Sequence, residues 1–157
     1  MPDGTIIQRL TLRGGGLVAR VLTLGAVVQD LRLEGYAHPL VLGSETPDAY
    51  LGPMAFFGAM VGRFANRIAG GRFVLDGCNH QIPRNFRGRH ALHGGPAGSA
   101  LRLWQVLEQH TESATLGLQM ADGDMGFPGA LEVRLRVALP GDGAIQFDIH
   151  ATTDRAT

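Results

Sequence analysis

No lysine occurs among the 157 residues, so all 14 basic side chains are arginine. That excludes Schiff-base chemistry on a lysine amine within this chain. Cysteine is almost absent as well. Cys78 stands alone, so neither an intrachain disulfide nor a cysteine-based zinc cluster can form, and a single thiol suits a reducing compartment. No apolar run approaches the roughly 20 residues that a membrane helix needs, and the opening MPDGTIIQRL lacks a basic segment followed by an apolar one. Neither sign of charge is in excess. With a formal net charge of +0 and dispersed arginines, there is no electrostatic stripe for a phosphate backbone or an anionic membrane. These absences predict a cytoplasmic protein whose partners include neither nucleic acid nor membrane.

What is present is ordinary globular composition, 45% hydrophobic and 18% charged, in a length suited to one domain or part of a larger one. The 23 glycines and 8 prolines are scattered as turn punctuation, which favours many short connections and an all-β class. Ile6, Leu10 and Leu12 alternate with polar neighbours up to Gly14-Gly15-Gly16, and Leu17 to Leu24 resumes the pattern. Val27 to Leu33 alternates again, with Gln29 as the polar exception on its apolar face. Leu40 to Leu42 predicts a short buried strand. Thr46-Pro47-Asp48 predicts one helical turn near Ala49 to Leu51, the only helix expected.

The Asp76-Gly77 pair between Arg72 to Leu75 and Asn79 to Ile82 signals a tight hairpin, because that pair accepts the positive φ angles of a type I′ turn. Leu103 to Glu108 and Ala114 to Met120 read as a further pair, closed by Ala121-Asp122-Gly123-Asp124. Leu131, Val133, Leu135, Val137 and Leu139 give the best two-residue period, matched by Ile145, Phe147 and Ile149 after Pro140-Gly141-Asp142-Gly143. The closing ATTDRAT follows this strand with no stop signal, so the sequence reads as interrupted there.

The stretch from Gly58 to Gly98 carries the chemistry. Asn66 and Arg67 offer amide and guanidinium donors suited to sugar hydroxyls, although the same residues also fit surface charges beside a turn. His90 and His93 lie three apart with Gly94-Gly95 following, which argues against a helical metal pair and leaves either a turn histidine or a close backbone approach to a ligand. Asp122, Asp124 and Glu132 read as solvated. Cys78 lacks an adjacent base, and Trp104 reads as core.

At GRFANRIAGGRFVLDG, then LHGG, GDMGFPG and ATTDRAT, the sequence resembles the aldose 1-epimerase (galactose mutarotase) family, in the right order from about Val41 to the last residue. The resemblance implies an all-β β-supersandwich, with residues 1–157 forming the N-terminal half of a single domain whose C-terminal part is absent. It implies interconversion of the α and β anomers of free aldoses such as galactose and glucose, with no cofactor and no metal. By motif matching, Asn66 and Arg67 fall on the family's substrate-contacting pair and His93 on its sugar-binding histidine, whereas His90 carries no such role.

In that family a glutamate base takes the proton of the anomeric hydroxyl while a histidine acid protonates the ring oxygen. The histidine belongs to an H-x-Y-F-N element after the A-x-T-D-x-x-T segment, and the glutamate lies near the C-terminus. Neither element occurs within these residues, so no catalytic residue is assigned and the chain alone is expected to be inactive. Ser99 departs from the aromatic common after that glycine. Two other readings stand beside this one: a noncatalytic carbohydrate-binding module, and a β half-sandwich that self-associates through exposed strand edges.

Overall fold

The computed structural model describes residues 6–157. Those residues form eleven strands and no α-helix. Strands β1 (Arg9–Gly14), β2 (Leu17–Leu22) and β3 (Val28–Leu33) make an antiparallel three-stranded meander. Strands β8 (Gln105–Gln109), β9 (Ser113–Met120), β10 (Leu131–Ala138) and β11 (Gln146–Thr153) make an antiparallel sheet in the order β11-β10-β9-β8. Between them in sequence lie two small ladders. The first pairs β4 (Arg67–Ile68) with β7 (Ala91–Leu92), and the second is the hairpin of β5 (Arg72–Leu75) and β6 (Cys78–Gln81).

The two larger sheets meet through the apolar alternation read from the sequence. Leu12 and Ala19 from the meander and Leu116, Leu135 and Val137 from the four-stranded sheet have no exposed surface, and Trp104 joins the same core. Each of the leucine and valine side chains so buried stabilises the fold by about 1.5–3 kcal/mol through lost water contact. Register is fixed by the same pattern, since a one-residue slip would turn Leu135 and Val137 outward and Arg134 and Arg136 into the core.

Strand β11 has the predicted alternation without the burial that should accompany it. All eight of its residues are exposed, with Ile149 at 62%. The register sets Leu135 opposite Ile149 and Val137 opposite Phe147, so the core face of the sheet continues onto β11 with no layer packed over it. As the last strand in the sheet order, β11 also presents an unpaired edge.

Two expectations fail. Leu40 to Leu42 forms no strand, and Leu40 and Leu42 are exposed at 46% and 76%. That segment belongs to a loop held at separate points: the Leu40 amide donates to the Leu31 carbonyl of β3, the Gln29 side-chain amide of β3 donates to the Ser44 carbonyl, and the Ser44 amide donates to the hydroxyl of Tyr50 in the following turn. These single attachments satisfy the backbone without a ladder. The helical turn after Thr46 is present as a 3₁₀ turn over Pro47–Leu51, yet Thr46 makes no side-chain cap, and it is not the only turn of its kind. Ala69–Gly71, Ser99–Leu101 and Asp124–Gly126 form three more.

Candidate functional site

The β4–β7 ladder brings together two motifs that lie 27 residues apart. Arg67 pairs with Leu92 and Ile68 with Ala91, which sets Asn66 beside His93 at the end of the ladder. A reciprocal pair of hydrogen bonds closes that end: the His93 amide donates to the Asn66 carbonyl at 2.9 Å, and the Asn66 amide donates to His93 Nδ1 at 3.0 Å. Both residues adopt positive φ, 66° for Asn66 and 51° for His93. Such backbone is uncommon outside glycine, and ligand-binding sites are among the places where it persists. The glycine after His93 has its own requirement. At φ 81° and packed against the Gly62 carbonyl, Gly94 has no room for a β-carbon.

The backbone donor at Nδ1 decides the form of the histidine. With Nδ1 accepting, the ring proton of neutral His93 sits on Nε2, which becomes a donor directed away from the ladder. Burial pushes the His93 pKa below its ordinary value, and the nearby Arg67 charge pushes it the same way. The ring therefore stays neutral near pH 7 and offers one N–H donor. Phe56 packs against it with ring centroids 4.8 Å apart.

Arg67 is held on three sides. Its Nη1 donates to Asn66 Oδ1 at 2.8 Å, its backbone lies in the ladder, and its guanidinium lies 4.4 Å from the centroid of Phe86. The remaining guanidinium N–H groups and the exposed face of Asn66 leave a cluster of donors open to solvent. Asn85 supports this wall from behind. Its side-chain amide donates to the Leu92 carbonyl and its oxygen accepts from the Leu92 amide, so β7 is clamped between β4 and one amide group.

Arg63, in the same GRFANRI motif, does different work. Its guanidinium donates to the carbonyls of Met120, Ala121, Pro128 and Gly129 and to the Thr157 hydroxyl. It fastens the β9–β10 loop to the segment preceding the ladder, and burial lowers its pKa. Asp124 was expected to be solvated. Instead its side chain is largely shielded and pairs with Arg102 at 2.7 Å, while Asp122 accepts from the Gly129 amide and pairs with Arg155. Both carboxylates are committed to shaping that loop.

The other candidates fall outside the wall. His90 Nδ1 accepts from the Gly70 amide at 3.2 Å, and Cys78 is exposed on the hairpin. Among the described residues no group of three or more histidine, cysteine, aspartate or glutamate side chains is arranged to hold a metal. An apolar trough of about 190 Å³ lies elsewhere, between Met60, Ser99 and Trp104 on one side and half-buried Val133 with exposed Ile149 and Ala151 on the other. Phe56, Asn85 and Phe86 were missed by sequence reasoning. Their contacts join segments with no shared period, and only the Phe-rich and Asn-Phe-Arg composition hinted at them.

Comparison with known proteins places this geometry in context. The sequence profile described as aldose 1-epimerase matches residues 8–157. The chain is 36% identical over 158 residues to the aldose 1-epimerase of Escherichia coli K12 and 34% identical over 159 residues to the galactose mutarotase of Rattus norvegicus. Each alignment covers 98% of this chain and 45% of the relative. A solved GalM/aldose epimerase homologue from C. elegans superposes with a TM-score of 0.88 at 30% identity, covering 95% of this chain and 47% of that one. A galactose 1-epimerase from Lactobacillus acidophilus gives 0.83 at 27% identity, covering 98% and 46%. The chain thus spans about half the length of the relatives it matches, and its sheets are those of a galactose mutarotase-type β-fold. No helix of the described residues is long and apolar enough to cross a membrane. With its profile match running through the ladder that joins Asn66 and Arg67 to His93, the chain belongs to the aldose 1-epimerase family.

Proposed function

We propose that this chain supplies one wall of the sugar site of an aldose 1-epimerase acting on free aldohexoses such as galactose or glucose, with Asn66, Arg67 and His93 as the groups that hold the sugar. The observation that carries this reading is the reciprocal Asn66–His93 hydrogen-bond pair, which converts two distant motifs into one set of fixed donors. Fixed donors bind hydroxyl-rich ligands at low entropic cost.

The chemistry itself is assigned to groups outside these residues. An anomeric epimerisation needs a base and an acid on opposite sides of the ring. His93 Nδ1 accepts from the Asn66 amide, and burial and Arg67 both favour the neutral ring, so it serves as a donor to the sugar while the acid and base come from the rest of the domain. Residues 1–157 then form the N-terminal part of that single domain, working without cofactor or metal in the cytoplasm. Polarimetry of freshly dissolved α-glucose or α-galactose tests the assignment. The 157-residue chain is expected to leave the rate at that of buffer, and a chain continued to the length of its relatives is expected to accelerate it. Acceleration by the 157 residues alone would overturn it.

A second reading has its own observation. The core face of the four-stranded sheet runs on uncovered into β11, where Phe147 and Ile149 are 37% and 62% exposed beside an unpaired strand edge. Isolated from the remainder of a domain, this edge favours self-association. Sedimentation velocity is expected to show species larger than a monomer, and a single monomeric boundary would count against it.

A further inference from the structure

We propose that Phe86 is a positioning residue for the sugar site, holding the Arg67 guanidinium at the angle from which it meets the ligand. This rests on the sugar-wall reading above. Arg67 extends from a two-residue strand and is exposed, so its long side chain would otherwise sample many rotamers and lose that freedom on binding. Two contacts restrain it. Nη1 donates to Asn66 Oδ1 and fixes one edge of the fork, and the Phe86 ring, its centroid 4.4 Å from the guanidinium carbon, lies against the group as a second restraint. A cation over an aromatic face is attracted by the ring quadrupole, and a planar guanidinium stacks as well as attracts.

The ring is itself anchored. The Phe86 amide donates to the His90 carbonyl and the His90 amide to the Phe86 carbonyl, while the neighbouring Asn85 side chain bonds both backbone groups of Leu92. Phe86 is therefore tied to the same ladder as Arg67 and His93, and it moves with the wall. Arg87 also approaches the ring, at 5.2 Å, which loads the same aromatic group with a second cation.

The test measures galactose binding by ligand-observed NMR together with the ¹⁵N heteronuclear NOE of the Arg67 Nε–Hε group, whose resonance is identified by its loss in Arg67→Lys. Phe86→Leu keeps an apolar side chain and removes the π face. It is expected to weaken binding about two- to fivefold, the range of an exposed cation–π contact, and to lower the Arg67 NOE. Phe86→Trp is expected to restore both, because the effect follows the π face and not the volume. An unchanged NOE and affinity in Phe86→Leu would overturn the proposal, and so would equal losses in the leucine and tryptophan variants. If neither the parent chain nor one continued to the length of its relatives binds galactose, the sugar-wall reading falls. The NOE in the same variants still decides whether Phe86 orients Arg67.

Discussion

Replacing Gly94 by alanine separates the two demands placed on the residue after His93. Part of the cost is conformational, since φ is 81° and a β-carbon in left-handed backbone costs about 1–2 kcal/mol. The rest is steric. The added methyl would run into the Gly62 carbonyl, and the neighbouring Gly62–Arg63 backbone must move to admit it, at a cost of about 1–3 kcal/mol by analogy with overpacked cores. Gly77→Ala supplies the control. Its φ is 75°, and a β-carbon there meets nothing within 4 Å, so only the conformational part applies. The expected difference between the two variants is about 1–3 kcal/mol, or roughly 2–12 °C in Tm for a chain of this size. Differential scanning calorimetry of the pair reads it directly. Equal destabilisation would refute the close approach of the two segments, and with it the account of how His93 is placed. Gly94→Ala should also weaken galactose binding more than Gly77→Ala does, because the displaced carbonyl lies beside the wall.

Other consequences are testable in the same preparation. The His93 pKa is lowered on folding, so the unfolded chain binds the proton first as pH falls. Stability associated with His93 is full above about 6.5 and is lost as pH drops from there through the folded value. An NMR titration should place the His93 ring midpoint below 6.5, and a midpoint at or above that value would contradict it. Arg63→Met should cost about 2–4 kcal/mol, because several carbonyls of the β9–β10 loop lose their donor. Hydrogen exchange should show faster opening around 120–129. Ile149→Lys should reduce self-association in sedimentation with little change in urea midpoint, whereas Leu135→Ala, at a fully buried position on the facing strand, should cost about 2–5 kcal/mol.

Much of the fold was legible because strand burial writes a two-residue period. Leu131 to Leu139 and the strands around Gly14-Gly15-Gly16 were read correctly, and Asp76-Gly77 marked its hairpin because that turn has a chemical signature. Leu40 to Leu42 misled for the opposite reason. Three apolar residues in a row name no face, and the segment is held by scattered single bonds that leave no periodic trace. For β11 the alternation was real, but burial depends on what covers a strand, which no local pattern encodes. At the site, Asn66, Arg67 and His93 stood out through family resemblance, and the ladder explains how they meet. The framework behind them was illegible, since Phe56, Asn85 and Phe86 act across the chain through aromatic and amide contacts.

The hairpin between the two halves of the wall leaves the chain's single thiol in a useful place. Cys78 lies just past the Asp76-Gly77 tip, exposed, on a hairpin that leaves and returns between β4 and β7. Since the ladder is closed by its own bonds, the tip can carry foreign mass without disturbing Asn66 or His93. A maleimide dye would attach at this one position with no engineering. It would turn the natural protein into a site-specifically labelled reporter, ready for fluorescence anisotropy or surface immobilisation with the sugar wall left free.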